Sequence, residues 1–372
     1  MEKIGIGMIG YGFIGRIHAL AFSSLPYYYG ELPALPEILG ICTSSPQSAQ
    51  KAGEEIGVDF VTHRLDELLA REDIQIVVVA TPNIHHREAV EKAVEKGKAV
   101  YCDKPLAMNL AEAKAVAETV DRSGIPFGMA FQYRFIPALM RARELIEVGK
   151  VGEIFRARVA YLHSGYIDPA RPMKWRLRRE MAGGGALADL GSHVVDLVHF
   201  LVGDTQVTSA RTRTFIDERP VEASSSKREK VLVDDWCEVA FHLSGGAEGT
   251  IEASRFATGS CDEIRLEIEG SKGSIRFNSM QPNYLEFYDN FLPKGSYGGQ
   301  RGFQHIEAVQ QYPPPNLFPG KNAIGWVRYH IACAHDFLMR YGGKACLGAG
   351  TADGVRVQRF LEDAYRLSGY AT

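Results

Sequence analysis

The chain has 372 residues, of which 45% are hydrophobic and 23% are charged, with 42 Lys and Arg against 45 Asp and Glu. This composition excludes a mainly disordered chain, and the length predicts two domains. Because the two signs of charge are interspersed, we expect neither a nucleic-acid-binding nor a membrane-binding surface, and we expect a small molecule as the partner.

The N-terminal apolar run Ile4–Ile9 is too short for a signal peptide or a membrane span, and it predicts a buried strand in a cytoplasmic protein. The six cysteines are widely spaced and include no C-x-x-C pair, which favours reduced core thiols over disulfides or a zinc site. They are Cys42, Cys102, Cys237, Cys261, Cys333 and Cys346.

Residues 1–130 alternate short apolar runs with helical periods, a pattern typical of β-α-β units around a parallel sheet. The predicted strands are Ile4–Ile9, Glu37–Thr43, Ile76–Ala80, Ala99–Cys102 and Pro126–Ala130. The predicted helices between them are Ala49–Ile56, Leu65–Ala70, His85–Lys96 and Leu110–Ser123. We therefore predict an α/β fold that begins with a doubly wound Rossmann domain binding NAD or NADP.

Residues 131–372 predict a second α/β domain whose sheet is open and largely antiparallel, because several strands alternate apolar and polar residues. Its predicted strands are Ile154–Tyr161, Val207–Ile216, Cys237–Leu243, Gly249–Phe256, Ile264–Glu269 and Ser274–Phe277. Its predicted helices are Pro137–Glu147, Ala186–Leu201, Trp326–Tyr341 and Gly350–Leu367, and the last two can pack back on the first domain. A turn at 244–246 predicts a meander, whereas 217–235 and 282–322 predict loops.

The first functional motif is G-x-G-x-x-G, directly after the first strand and opening a helix. Its glycines would form the tight turn and admit a pyrophosphate to the backbone, while the helix N-terminus faces the negative charge. The predicted cofactor-binding residues here are Gly10, Gly12, Phe13, Ile14 and Gly15.

The end of the second strand should select the adenosine ribose, and an acidic side chain there would bind the 2′-hydroxyl of NAD. This chain has Thr43 and Ser44 instead of a carboxylate. Their hydroxyls can donate to a 2′-phosphate, although only Lys51 or Arg64 could complete an NADP pocket. The loop therefore favours NADP slightly over NAD.

Two further loops follow strands at the carboxyl edge of the sheet, where ligands bind in such folds. The first supplies predicted cofactor contacts at Thr81, Pro82, Asn83 and His86, and it can at the same time be a turn with Asn83 as a helix cap. The second contains Asp103 and Lys104, which are also predicted cofactor contacts, followed by Pro105. Because proline restricts the residue before it to extended conformations, Lys104 can be aimed at one point, which favours function at this buried strand end.

In the segment Met181–Asp196, Asp189 and His193 are four residues apart, so a helix would place them on one face. The preceding Gly183–Gly185 would let the backbone pass close to a ligand. A metal site built from Asp189, His193 and Asp196, or a buried Asp–His pair without catalytic role, are alternatives. Catalysis by Asp189 and His193 is the favoured interpretation.

Together, Gly10–Gly15, the Thr81–Pro82 loop, Asp103–Pro105 and Gly183–Asp196 resemble the Gfo/Idh/MocA family over essentially the whole chain. The segments Leu25–Tyr29, Tyr161–Ser164 and Glu252–Phe256 are also similar to the sugar-dehydrogenase branch that includes levoglucosan dehydrogenase-like proteins. The resemblance implies a Rossmann domain, a C-terminal domain whose open sheet makes homodimer or homotetramer contacts, and a substrate cleft between the two domains.

By motif, the family's Glu-Lys-Pro lysine falls on Lys104, with Asp103 in place of the usual Glu, and its Asp-x-x-x-His pair falls on Asp189 and His193. Tyr133 and Arg134 are similar to the segment leading out of the Rossmann domain. Trp175 and Arg176 are similar to a cofactor-contacting pair of some members.

We expect an NAD(P)-dependent oxidoreductase that moves a hydride between nicotinamide and a secondary alcohol of a sugar or polyol. His193 would exchange the hydroxyl proton while Lys104 binds the same oxygen, and the two roles can be reversed. Predicted substrate contacts are Tyr133, Tyr161, His163, Arg255 and Trp175. A non-catalytic nicotinamide-binding regulator and an NAD-dependent redox glycosidase remain alternatives.

Overall fold

The computed structural model describes residues 2–309, 317 and 322–370, which form two units. The first unit comprises residues 2–135, 317 and 325–358. The second comprises residues 136–309, 322–324 and 359–370. The main passage from the first to the second therefore lies between Phe135 and Ile136, while the domain limits near residue 130 stay a prediction.

The first unit is built on six parallel strands in the order β3-β2-β1-β4-β5-β6. Their bounds are β1 Lys3–Ile9, β2 Leu35–Cys42, β3 Phe60–Thr62, β4 Ile76–Val79, β5 Ala99–Cys102 and β6 Phe127–Met129. The strand order reverses between β1 and β4, which makes the carboxyl ends of these two strands the place where ligands bind in doubly wound sheets. This confirms the Rossmann fold predicted from the sequence; only the three-residue β3 is missing from the prediction.

Helices of the first unit begin and end largely where the sequence predicts. Their bounds are α1 Phe13–Tyr28, α2 Pro46–Ile56, α3 Leu65–Leu69, α4 His86–Glu95 and α5 Leu110–Ser123. Asn109 caps α5 by accepting a hydrogen bond of 2.9 Å from the Glu112 amide, and Gly124 ends the helix with a φ of 68°. Polar N-caps and left-handed glycines are the usual signals for helix ends, so these bounds could be read from the sequence.

The second unit contains an eight-stranded sheet in the order β16-β15-β14-β13-β7-β12-β11-β8. Its strands are β7 Ile154–Leu162, β8 Thr205–Arg213, β11 Trp236–Leu243, β12 Glu248–Ser254, β13 Glu263–Gly270, β14 Gly273–Asn278, β15 Tyr284–Asp289 and β16 Phe303–Glu307. All neighbouring pairs are antiparallel except β7 with β12, which confirms a largely antiparallel sheet. The predicted turn at 244–246 joins the antiparallel neighbours β11 and β12, and a meander runs from β13 to β16, but β7 lies between β12 and β13 and interrupts the predicted meander.

Two predicted loops contain strands. In 217–235 the short strands β9 Glu218–Pro220 and β10 Arg228–Lys230 pair with each other. In 282–322 the sequence analysis missed β15 and β16, because their glycine- and proline-rich flanks conceal a short alternating pattern. Residues 310–316 and 318–321 of that segment lie outside the described part.

The helices of the second unit are α6 Pro137–Glu147, α7 Arg179–Ala182 and α8 Ser192–Val202. A single π-helical turn, Leu187–Gly191, precedes α8, where the sequence predicted regular α-helix from Ala186. The stretch Arg179–Val202 is long and apolar enough to cross a membrane by length and composition alone. However, 83% of its apolar window is buried inside the protein, as in the core helix of a water-soluble domain.

Two helices close the chain, α9 Trp326–Tyr341 and α10 Thr351–Leu367. Helix α9 belongs to the first unit, and α10 contributes its residues to 358 to the first unit and the rest to the second. None of the six cysteines, all of which lie in the described part of the chain, forms a disulfide. The core-thiol prediction holds for four of them but is wrong for Cys261, which is exposed, and for Cys346, which is half-buried.

Candidate active site

The three glycines of the G-x-G-x-x-G motif have different surroundings. Gly10 and Gly15 are packed against backbone atoms, so a side chain does not fit there, whereas Gly12 faces open space. Gly10 has a φ of 90°, and a Cβ there would lie 2.6 Å from the Ala80 carbonyl oxygen. A Cβ on Gly15 would lie 2.5 Å from the Gly10 carbonyl oxygen, whereas one on Gly12 would meet no atom within 4 Å. Since α1 begins at Phe13 with Gly12 as its N-cap, amide donors and open backbone coincide, as a dinucleotide pyrophosphate requires.

The loop after β2 is a network of hydroxyl groups. Ser45 caps α2, and the Thr43 hydroxyl lies 2.6 Å from that of Ser48. Arg16, the basic residue at the start of α1, is paired with Glu55 at 2.6 Å. The loop therefore carries hydrogen-bonding groups for a ribose, and the Arg16 guanidinium is already engaged by a carboxylate.

His86 joins two of the predicted cofactor loops. Its imidazole is fully buried, with Nδ1 at 2.7 Å from the Pro105 carbonyl oxygen and Nε2 at 3.1 Å from the Thr81 carbonyl oxygen. Burial lowers the pKa of His86, so the neutral ring carries one N–H and donates to one carbonyl at a time. Asn83 lies inside a short 3-10 helix, Asn83–His85, so the alternative prediction that Asn83 caps α4 is wrong.

Lys104 follows β5 at the carboxyl edge of the parallel sheet. The Asp103 amide donates to the Val79 carbonyl oxygen at 2.8 Å, which continues the pairing of β5 with β4 up to this residue. The Lys104–Pro105 peptide bond is cis. The Asp103 carboxylate is buried and lies 3.6 Å from Nε2 of His18, on α1.

Asp189 of the second unit is held by two arginines. It lies in the π-helical turn, and its carboxylate accepts a hydrogen bond of 2.9 Å from Arg255 while Arg176 lies 3.7 Å away. Arg255 has no exposed surface, and its guanidinium stacks over the Tyr166 ring. Burial alone would lower the pKa of Arg255, but the neighbouring Asp189 outweighs it and raises that pKa. Asp189 is therefore a fixed hydrogen-bond acceptor.

His193, the second residue of α8, is buried with its ring 5.8 Å from that of Tyr161. Tyr161 donates a long hydrogen bond of 3.4 Å to Asp262. His163 accepts one of 3.0 Å from the Gly165 amide, and burial lowers the pKa of its imidazole. His193, Tyr161 and His163 belong to the same unit as Asp189. This unit therefore supplies imidazole, phenol and carboxylate groups.

One sequence interpretation of this unit needs correction, and another stays a prediction. The predicted substrate contact of Arg255 is wrong, because the side chain is completely buried against Asp189 and Tyr166. The predicted ligand approach at the triple glycine stays a prediction, although the Cβ side of Gly184 and of Gly185 faces the protein. Their Cβ positions would lie 2.0 Å from the Tyr365 hydroxyl and 1.9 Å from the Asp234 carbonyl oxygen, so these glycines allow close packing within the protein.

Trp175 and Arg176 lie in a 3-10 helix, where the guanidinium of Arg176 stacks on the indole of Trp175 at 4.2 Å. In the first unit, Tyr133 is buried and its hydroxyl accepts a hydrogen bond of 3.4 Å from Trp326. Within residues 2–309, 317 and 322–370, no group of three His, Cys, Asp or Glu is arranged to hold a metal.

Sequence reasoning missed Trp326 and His330 on α9, as well as a role for His18. The Trp326 ring stacks at 5.9 Å on Phe13 of the dinucleotide loop, and it contacts His330 at 4.4 Å. The only available signal was an aromatic residue at the start of a predicted helix, which does not indicate its neighbours.

Comparison with known proteins identifies the family. Residues 4–131 match the model described as the oxidoreductase family with an NAD-binding Rossmann fold, and residues 139–276 match that of the GFO/IDH/MocA C-terminal domain. The chain belongs to the Gfo/Idh/MocA oxidoreductase family. The resemblance inferred from its motifs is thereby confirmed.

This Gfo/Idh/MocA oxidoreductase is 33% identical to levoglucosan dehydrogenase of Pseudarthrobacter phenanthrenivorans, over 98% of this chain and 95% of that protein. A crystal structure of an oxidoreductase domain protein from Kribbella flavida matches with a TM-score of 0.91 and 35% identity, covering 99% and 98% of the two chains. A levoglucosan dehydrogenase in complex with NADH and levoglucosan matches with a TM-score of 0.91 and 32% identity, covering 99% and 98%.

Proposed function

We propose that this oxidoreductase is a dehydrogenase of sugars or sugar-like polyols that uses a nicotinamide cofactor. The observation that carries the proposal is the arginine-held carboxylate of Asp189, four residues before buried His193, in a chain whose Gly12 loop is open for a dinucleotide. A carboxylate fixed in this way accepts hydrogen bonds from hydroxyl groups, and an imidazole exchanges protons near neutral pH.

Gly10, Gly12 and Gly15 with the amides that begin α1, as well as the loops of Thr81 and Lys104, would hold the cofactor. A bound nicotinamide would supply the acceptor or donor of the hydride that the alcohol carbon exchanges. His86 lies between the two loops and donates to the Thr81 or the Pro105 carbonyl group.

In the proposed mechanism, His193 takes the proton of the reacting hydroxyl and Lys104 hydrogen-bonds to the substrate oxygen. Asp189 orients the substrate through its hydroxyl groups. We expect His193→Ala and Lys104→Ala each to lower kcat by about 100-fold or more while NADH still binds. Wild-type turnover in either variant would contradict the role assigned to that residue, and pH profiles of kcat distinguish which of the two exchanges the proton.

The proposed substrate class is a compact sugar ring, including anhydrosugars. Tyr161, His163 and Trp175 supply the mixture of ring surface and hydrogen-bonding groups that carbohydrate recognition uses. The 33% identity to levoglucosan dehydrogenase over nearly the whole chain supports an anhydrosugar as the first compound to test.

For the choice between NAD and NADP, the loop after β2 is the deciding element. The absence of a carboxylate at Thr43 and Ser44 slightly favours NADP, whereas the NADH bound by the levoglucosan dehydrogenase relative favours NAD. The ratio of kcat/KM for the two cofactors with one substrate decides between them. We also propose a cytoplasmic homodimer or homotetramer, supported by the open sheet of the second unit.

The deciding experiment follows absorbance at 340 nm while the purified protein is mixed with NAD or NADP and a panel of sugars, anhydrosugars and inositols. The Lys104→Ala variant is the control for contaminating dehydrogenases. Reduction of the cofactor by one substrate class supports the proposal. Cofactor binding without turnover would favour a regulator, and cleavage of a glycoside without net reduction would favour a redox glycosidase.

A further inference from the structure

The first unit contains a buried polar cluster that includes Asp103, the residue directly before Lys104. It consists of His18 on α1, Asp103 at the end of β5 and His330 on α9, all of them buried. The His18 and His330 rings are 5.8 Å apart, and Nε2 of His18 lies 3.6 Å from the Asp103 carboxylate. None of the four ring nitrogens has a hydrogen-bond partner within the described residues. Such buried nitrogens are uncommon in native structures and call for an explanation.

Electrostatics singles out His18 as the partner of Asp103. Burial alone would raise the pKa of Asp103, but His18, Lys104 and His86 outweigh it and lower that pKa, so the carboxylate is ionised. Burial, aided by His18, lowers the pKa of His330 to about 3, so this ring is neutral at physiological pH. A buried carboxylate is costly unless it is paired, and His18 is the only one of the two cluster histidines close enough to pair with it.

The position of His18 gives the pair a function. His18 follows Gly15 by one helical turn, so it projects from the first part of α1, whose N-terminus carries the dinucleotide-binding glycines. Asp103 is bonded to Lys104 and is anchored to β4 through its amide. We propose that His18 is a positioning residue that, by holding Asp103, fixes the Lys104 loop against α1. His330 and Tyr101 support the His18 ring from the other sides.

This inference rests on the proposed role of Lys104 in catalysis. The 3.6 Å contact is longer than a normal hydrogen bond, so His18 acts on Asp103 mainly through its charge and its packing. A misplacement of the lysine amine would lower kcat, whereas the contacts of the glycines with the cofactor would remain.

The test is a double-mutant cycle between His18 and Lys104. His18→Phe keeps an aromatic ring against Tyr101 but removes both nitrogens; we expect kcat to fall by about 10- to 100-fold. The dissociation constant for NADH, measured by fluorescence titration, should stay within about threefold of the wild-type value. In the Lys104→Ala background the same change should cost less than about twofold, because there is no amine left to position. His18→Gln, which retains a donor, should restore part of kcat, and exposed His63→Phe is the matched control.

The outcomes separate the two hypotheses. Wild-type turnover of Lys104→Ala would contradict the proposed function itself. If Lys104→Ala lowers kcat but His18→Phe does not, only the positioning role is overturned. The same holds if the two losses in kcat simply multiply in the double variant. If His18→Phe does not fold, the cycle is run with His18→Gln and the isosteric Asp103→Asn. The positioning role would then be overturned if the losses in kcat multiply in the double variants. It would also be overturned if NADH binding is lost together with kcat.

Discussion

At the scale of single residues, a substitution of Gly12 is expected to weaken cofactor binding without changing the stability of the fold. Its φ of −75° suits any residue, and an added Cβ meets no atom within 4 Å. We therefore expect Gly12→Ala to change the free energy of unfolding by less than about 1 kcal/mol. The methyl group would occupy the close approach to a pyrophosphate, so the dissociation constant for NADH should rise by about tenfold or more. Gly245→Ala, equally unhindered in the β11–β12 turn, is the control, and equal NADH affinities of the two variants would contradict the assignment.

Arg255 and Asp189 make a second prediction at this scale. Removing one partner of a buried ion pair leaves the other charge uncompensated, so Arg255→Met should lower the free energy of unfolding by about 3–5 kcal/mol. Urea unfolding measures this change. Arg211→Met breaks an exposed pair with Glu238 and should cost less than about 1 kcal/mol. Equal stabilities of the two variants would mean that Arg255 is not the structural support of Asp189.

At the scale of elements, the residue that follows α1 stacks on a histidine of α9, and the titration of this histidine makes the stability of the protein depend on pH. The His335 ring lies parallel to that of Tyr29, with centroids 3.5 Å apart. Burial, followed by the nearby charge of Arg328, lowers the pKa of His335 from 6.5 to about 4. Between these two values the unfolded chain binds a proton that the folded protein does not, so acidification from about pH 6.5 to pH 4 removes stability.

The corresponding loss from His335 amounts to about 3 kcal/mol and is complete below about pH 4. His335→Phe keeps a stacked ring but cannot bind a proton. We expect chemical denaturation at pH 7 and pH 4.5 to give a smaller difference in unfolding free energy for the variant than for the wild type. The same difference in both proteins would place the acid sensitivity elsewhere, His330 being the next candidate.

How far the sequence predicts the elements depends on what fixes each one. The strands of the parallel sheet are continuous apolar runs and the helices carry caps, so both could be recognised locally. The π-helical turn at Asp189 and the strand β15 could not, because packing against other segments decides them. The catalytic candidates Lys104, Asp189 and His193 came from motifs. The contacts of Asp103 with His18 and of Asp189 with Arg255 join residues distant in sequence, which no local pattern reveals.

At the scale of the whole molecule, the outer face of the eight-stranded sheet is the surface through which we expect two copies of the chain to associate. Alternate residues of β7, β12 and β13 line an open groove of about 630 Å3 on this face. Several of its charges are paired, since Glu267 contacts Arg158 at 2.6 Å and Arg276 at 2.8 Å. A second copy could cover this face with these charges already compensated, which lowers the cost of burying them.

We therefore expect the protein to sediment as a dimer or tetramer at micromolar concentration, and Ala160→Arg to shift it towards the monomer. Ala160 lies half-buried on the outer face of β7, directly opposite Glu252 of β12 and Arg265 of β13, so an arginine side chain added there would protrude from the face that a second copy is expected to cover. Ala111→Arg, on the exposed side of α5, is the matched control and should leave the sedimentation coefficient unchanged. A wild-type monomer would contradict the assembly. An oligomer that resists Ala160→Arg would mean that another surface forms it, because a long side chain added at the centre of a covered sheet face cannot be accommodated without disturbing the packing of the two copies.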